Sequence, residues 1–356
     1  MSGAIGPSEF VRSARPGDLS PATHRLLRGE SLDEATMVDA FEQIMTGAAH
    51  HAEMGAFLAL LAARTPSVDE LVGAATVMRR HVERVSSTVS VDELVDTAGT
   101  GGAPKTFNVS TAAAIIAAAA GARVAKHGNR SRTGRGSAEV LAALGVEVSA
   151  PRPLQTRALE EIGICFCFAP EHHPAARHAM PVRKALGFPT IFNLLGPLTN
   201  PAGARRQVIG VYERRFVRPV AESLRRLGVI RAVVMHSDDG LDEFSVGAPT
   251  NAVEVDSGQL KETTIDPAAL GLRRASPEVL VARDLDHAAA LVRGVVDGSE
   301  RGPHRDMTLL AAAAALWAGG RVESLAAGLL LASDAIDSGR SARTLARLAE
   351  ISQGHR

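Results

Sequence analysis

The chain has 356 residues, 39 Lys plus Arg balanced by 39 Asp plus Glu, and 46% hydrophobic residues, while aromatics make up only 3% of the chain. That balance leaves no whole-chain electrostatic footprint for nucleic acid, and the longest apolar run, near Ala112–Ala122, is too short and alanine-rich to span a bilayer. With no basic start and apolar h-region at the N-terminus, a cytoplasmic protein with a core of Ala, Leu, Val and Ile is expected, without membrane or nucleic-acid partners.

Residues 1–20 are rich in Gly, Pro and Ser without periodicity and predict a loose tail. Residues 21–90 predict a small helical subdomain. Ser31 with Glu34 reads as a capping box before an amphipathic run ending near Gly47, HAEMGAFLALLAAR is a second helix, and Ser67 with Glu70 opens a third. From about residue 91 short apolar strands alternate with helices. ARVAK, VEVSA, ICFCFA, QVIGVY and RAVVMH read as strands; SAEVLAALG, PLQTRALEEIG and FVRPVAESLRRLG read as helices, with Gly145 ending the first. The fold class is therefore α/β: a helical N-terminal subdomain, then a larger domain over 91–356 with a mostly parallel central sheet flanked by helices, helical again from about 286. Cys165 and Cys167, two apart on a strand, face the same way and read as buried hydrophobes.

Four stretches carry chemistry. The first, DTAGTGGAPKTFNVST (96–111), sets Gly99, Gly101 and Gly102 before Thr106, Asn108, Ser110 and Thr111 and then a run of helix formers. Glycines bring backbone N–H groups close to a ligand, and the helix N-terminus favours an anion. It is neither the P-loop nor the G-x-G-x-x-G pattern. The second, KHGNRSRTGRGSAE (126–139), repeats the strand–glycine–helix plan and adds Lys126, His127, Asn129, Arg130, Arg132 and Arg135, with Ser137 opening the helix. Two such loops suit a multiply phosphorylated ligand. In the third (172–201), Arg183 is a candidate clamp for a substrate carboxylate, while His172, His173 and His178 lack a familiar metal spacing. The fourth, HSDDGLDEF, crowds Asp238, Asp239, Asp242 and Glu243 into one turn, which calls for a cation, Mg2+ being the natural one beside phosphate loops.

GTGG…TFNVST, KHGNR, VRKALG…TIFNLLGPLTNP and DGLDE, in this order, resemble the anthranilate phosphoribosyltransferases of the nucleoside-phosphorylase-like phosphoribosyltransferases, from about Leu26 to the C-terminal helices. The resemblance implies a homodimer joined through the helical subdomain, with helices around 172–200 contributing. It implies Mg2+-dependent transfer of the phosphoribosyl group of 5-phosphoribosyl 1-diphosphate (PRPP) to the amine of anthranilate, releasing pyrophosphate, in tryptophan biosynthesis. Carried over by position, PRPP would be held by Gly99, Gly101, Gly102, Thr106, Asn108, Ser110, Thr111, Lys126, Arg135 and Ser137. Anthranilate would meet Gly99, His127, Asn129, His173 and Arg183, and Mg2+ would take Ser110, Asp242 and Glu243. No side chain stands out as a nucleophile. Two departures accompany the match: Ala103 follows GTGG where the family often has Asp, and Thr133–Ser137 replaces a Ser-Ser-Lys-Ser-Gly-like run, each loop one residue shorter. A pyrimidine-nucleoside phosphorylase of the same fold, suggested by TGRGS, and a non-catalytic nucleic-acid-binding relative are the alternatives.

Overall fold

The computed structural model describes residues 16–104 and 106–355; most of the predicted tail, residues 1–15, lies outside them. Four helices open the described chain: α1 (Ser20–Leu27), α2 (Glu34–Met45), α3 (His51–Ala62) and α4 (Val68–Arg80). Packing begins before α1, since Leu19 is buried and the Gly17 N–H donates to Gln43 Oε1 at 2.7 Å. The capping box at α4 forms as expected, Ser67 Oγ accepting from the Glu70 N–H. The buried Glu70 carboxylate also accepts from the Leu32 N–H and pairs with Arg64, tying α2's entry to α4. At α2 the sequence reading shifts by two residues: Asp33, not Ser31, is the cap, accepting from the Thr36 N–H at 2.8 Å.

The second part alternates strand and helix: β1 (Leu94–Asp96), α5 (Val109–Ala119), β2 (Arg123–Gly128), α6 (Ser137–Ala143), α7 (Arg152–Ile162), β3 (Ile164–Phe168), α8 (Ala169–His172), α9 (Met180–Leu186), α10 (Ile191–Leu195), β4 (Arg206–Gly210), α11 (Val217–Arg226) and β5 (Arg231–Ser237). A hairpin of β6 (Thr250–Asp256) and β7 (Gln259–Ile265) follows, and then α12 (Leu285–Asp297), α13 (Pro303–Ala318), α14 (Leu325–Asp337) and α15 (Arg340–Ser352). The strands form one sheet in the order β3-β2-β1-β4-β5-β6-β7, parallel through β5 and antiparallel at β6 and β7.

The predicted strand VEVSA is not one. Val146 and Val148 are buried in alternation, but the Val146 N–H is used by the Leu141 carbonyl and the Glu147 N–H by Ser352 Oγ, leaving no ladder to form. Alternation there reports one-sided burial rather than pairing.

The sheet divides the core into two layers. Alanine-rich α5 and α13 cover one face, joined by α6, α7, α12, α14 and α15. Small side chains let these helices approach closely, which is how a chain with so few aromatics fills its interior. The other face, through Ile209, Val211, Val234 and Val253, shares a single cluster with α11, α10, α9 and all four N-terminal helices. The helical part thus packs behind α11, α10 and α9 and completes the core on that face. Because β2 and β3 extend the sheet one way from β1 while β4 and β5 extend it the other, the chain reverses between β1 and β4, where open parallel sheets bind ligands beyond the strands' carboxyl ends.

Candidate active site

The first glycine loop, Lys126 of the second and the acidic turn converge at that crevice, with the third stretch on the far side of β2. The loop after β1 turns through Gly101 and Gly102 with φ of +60° and +106°, a region L side chains avoid, and a Cβ on Gly102 would stand 3.3 Å from the Tyr212 ring. The Thr100 N–H donates to the Gly210 carbonyl at 2.9 Å, fixing this loop to the end of β4. Gly210 in turn lies against the acidic turn so tightly that a Cβ on it would stand 1.6 Å from the Asp242 carbonyl oxygen. Asp242 Oδ2 lies 3.8 Å from where a Gly99 Cβ would be, and Thr97, Gly99, Ser110, Gly210, Asp242 and Glu243 line one small space. Gly210 and Tyr212 were not singled out from sequence; both sit in the apolar run QVIGVY, and only the close approach reveals their role.

Lys126, buried at the end of β2, reaches across β1 and donates to Thr97 O, Thr97 Oγ1 and Ser110 Oγ at 3.2–3.4 Å. Burial pulls its pKa down, opposed by Asp96 and Glu243. Burial pushes the Asp96 carboxyl up to about 6; its Oδ1 accepts from the His127 N–H at 3.0 Å. Glu243 is pushed up to about 8, by burial first and then by Asp242, against Lys126 and the Ser110 N–H that donates to it.

The acidic cluster divides. Asp242 and Glu243 face the crevice, whereas Asp239 accepts from Ser245 Oγ at 2.5 Å and Asp238 from Asn251 Nδ2 at 2.5 Å. Among the described residues no group of three or more His, Cys, Asp or Glu side chains is placed to hold a metal. Two adjacent carboxylates with the Ser110 hydroxyl nonetheless fit Mg2+, which commonly binds through one or two carboxylates and completes its shell with waters and substrate phosphates.

The second glycine loop is tied to the first. Asn108 Nδ2 donates to the Arg135 carbonyl at 3.1 Å, and Arg135 Nη1 donates to the Ala282 carbonyl. The Ala282 N–H donates to the Thr106 carbonyl at 3.0 Å, so one peptide segment braces both loops. Asn108 and Arg135 are therefore engaged in holding the loops together, and Ser137 Oγ donates to the Asn129 carbonyl at 3.4 Å. Thr111 is buried, and its Oγ1 has no hydrogen-bond partner among the described residues.

On the far side of β2, the His127 and His173 rings meet at a tilt of 47° with centroids 5.0 Å apart. His127 Nδ1 donates to the Gly196 carbonyl at 3.0 Å, and its buried Nε2 has no hydrogen-bond partner among the described residues. Burial and the neighbouring histidine hold His127 down to about 3; burial and His172 hold His173 down to about 4. His172 is structural, bonded to the Glu83 carbonyl at 2.6 Å and Gln155 Oε1 at 2.9 Å, and His178 packs against Gly47. Asn129 is exposed at the mouth of the second loop. Arg183, on α9, is half-buried with its guanidinium 4.9 Å from the Phe192 ring centroid and Nη1 3.7 Å from Met180 Sδ. Burial and then Arg132 lower it to about 10, and no described carboxylate pairs with it.

A helical bundle joined to a mostly parallel α/β domain, with glycine loops and an acidic turn at the switch point, is the architecture of a transferase. Residues 20–82 match the helical bundle domain, and residues 91–342 the a/b domain, of the glycosyl transferase family, to which the chain belongs. Within it the chain is a member of the anthranilate phosphoribosyltransferase family of enzymes. It is 46% identical to the anthranilate phosphoribosyltransferase of Rubrobacter xylanophilus, over 94% of this chain and 98% of that one. The crystal structure of the Thermus thermophilus enzyme superposes with a TM-score of 0.87 at 39% identity, covering 93% of this chain and 99% of that one. The Saccharomyces cerevisiae enzyme, solved in complex with PRPP and Mg, shares the fold at 24% identity with a TM-score of 0.83, over 94% and 98% of the two chains.

Proposed function

We propose that this protein transfers the phosphoribosyl group of PRPP to the amine of anthranilate, giving N-(5-phosphoribosyl)anthranilate and pyrophosphate, with Mg2+, as a step of tryptophan biosynthesis. The observation that carries the reading is the pairing of two unlike surfaces around one set of strand ends. One is a crevice of glycine backbone, Lys126, Asp242 and Glu243; the other is a half-buried, carboxylate-free Arg183 lying over an aromatic ring. The first suits a metal-bound diphosphate, the second an aromatic acid.

The reaction asks for little covalent chemistry. Anthranilate's amine is neutral at pH 7, so no strong base is needed to expose its lone pair. The barrier lies in parting the ribose C1 from pyrophosphate, with positive charge growing on the sugar and negative charge on the leaving group. The backbone N–H groups of Gly99, Gly101 and Gly102, with Lys126, would meet that negative charge, while the Thr100 and Ser110 N–H groups hold the Gly210 carbonyl and Glu243 in place. Asp242, Glu243 and Ser110 would hold Mg2+, which when bound offsets charge on the diphosphate. Neutral His127 and His173 line the acceptor's side, and Arg183 fixes its carboxylate so that the amine meets C1; such positioning supplies on the order of 7–11 kcal/mol. The protein works as a homodimer through its helical part, in the cytoplasm. Loss of anthranilate fluorescence on adding PRPP and Mg2+ tests the activity, and sedimentation the assembly. Phosphorolysis of thymidine or uridine without turnover of PRPP plus anthranilate would replace the reading with that of a nucleoside phosphorylase, and tight, salt-sensitive nucleic-acid binding with that of a non-catalytic relative.

A further inference from the structure

Arg132 sits in the second glycine loop, immediately before Thr133–Ser137. Its side chain is exposed, and Nη1 donates to the Gly187 carbonyl at 2.5 Å. Gly187 closes α9 in a left-handed conformation (φ +76°), and its N–H donates to the carbonyl of Arg183, one turn back. One arm of the Arg132 fork thus joins the loop to the last turn of the helix that carries Arg183. The remaining N–H groups of that fork make no hydrogen bond among the described residues. Arg132 is also close enough for its charge to lower the pKa of Arg183. Two guanidinium groups approach here with no described Asp or Glu paired to either. Like charges held together without a counter-ion are unfavourable unless an anion joins them. The surroundings are apolar: Met180 and Phe188 are exposed beside the pair, and Phe192 lies beneath Arg183.

We propose that Arg132 is a positioning residue of the acceptor site, sharing the carboxylate of an aromatic acid with Arg183 while tying the second glycine loop to the C-terminal turn of α9. This rests on the acceptor assigned above. It differs from a phosphate role, which the loop's glycines and its place after β2 would suggest, because the bond to Gly187 turns the side chain toward α9. Occupation of the acceptor site then halves the positive charge of the pair, relieves its repulsion and firms the loop.

The experiment compares wild type with Arg132→Ala and Arg132→Lys in steady-state turnover, and measures benzoate binding calorimetrically. Benzoate carries the carboxylate but no amine. In Arg132→Ala the KM for anthranilate and the Kd for benzoate rise together by about tenfold, the loss of one charge-assisted bond, while the KM for PRPP stays within about twofold. Arg132→Lys, which keeps the charge but not the fork, falls between. A parallel rise in the KM for PRPP, or unchanged benzoate binding, overturns the proposal. Wild type that fails to turn over PRPP with anthranilate overturns the functional reading instead, and benzoate binding still decides the role of Arg132.

Discussion

Replacing Gly210 by Ala adds one methyl group at the junction of β4, the first glycine loop and the acidic turn. The new Cβ would stand 1.6 Å from the Asp242 carbonyl oxygen, where ordinary contact begins at 3.4 Å, a shortfall of about 1.8 Å. The obstacle is backbone on both sides, so no side chain can swing away. Overpacking of this kind costs about 1–3 kcal/mol, and the fold, with its large two-layered core, is expected to survive with a lowered melting temperature. The larger effect is on activity. The turn carrying Asp242 and Glu243 must move away from Gly99 and Ser110, and a misplacement of about 1 Å at a reacting centre costs about 100-fold. Turnover followed by anthranilate fluorescence across a Mg2+ titration should show kcat down by about two orders of magnitude and the half-saturating Mg2+ concentration raised. Wild-type turnover with an unchanged Mg2+ dependence would refute the claim that this contact sets the acidic pair.

Arg183→Ala should raise the KM for anthranilate by about 10- to 100-fold, the loss of a bidentate carboxylate contact, with the KM for PRPP nearly unchanged; equal effects on both would remove Arg183 from the acceptor site. Asp242→Asn combined with Glu243→Gln should abolish Mg2+-dependent turnover while leaving the melting temperature near that of wild type, and retained metal dependence would place the ion elsewhere. The two buried histidines predict acid sensitivity. Their folded pKa values, about 3 for His127 and about 4 for His173, lie below the ordinary 6.5, so the unfolded chain binds more protons below pH 6.5. Each therefore removes stability as pH falls from about 6.5 toward 4, at up to about 1.4 kcal/mol per pH unit. Urea unfolding at pH 7 and 4.5 should show a smaller loss in His173→Gln than in wild type. Deleting residues 20–82 should give an insoluble or molten product rather than a folded α/β domain, because α9, α10 and α11 lose the apolar helices they pack against; a cooperative thermal transition in the remainder would count against this.

The strand-end loops were readable because their chemistry is written in side chains and in glycine itself. Lys126, Asp242 and Glu243 come together with Ser110 at the strand ends, and Arg183 lies on α9 over Phe192. Less was readable where the deciding group is backbone. Gly210 looks in sequence like any glycine in an apolar strand, and Ala282 looks like nothing at all, yet both fix the site by close approach. Asn108 and Arg135 carry polar groups that suit a ligand, but whether they spend them on a ligand or on each other's loops depends on partners distant in the chain. Val146 and Val148 misled by the same logic: alternation signals which side is buried, and only tertiary contact decides whether a neighbour strand is there. The β6–β7 hairpin had a usable signal in TNAVEVD followed by Ser257 and Gly258, both at positive φ, a turn suited to antiparallel strands.

The Ala282 peptide, held at its N–H by Thr106 and at its carbonyl by Arg135, gives the enzyme a built-in gauge. Its amide proton can exchange with solvent only when the first glycine loop lets go, and its carbonyl is released only when the second one does. Exchange at this single amide, followed by mass spectrometry or NMR, therefore reads the opening of the donor side without any label in the site. Slowing by pyrophosphate alone, by benzoate alone and by both together would report whether the two halves of the crevice order independently or as one.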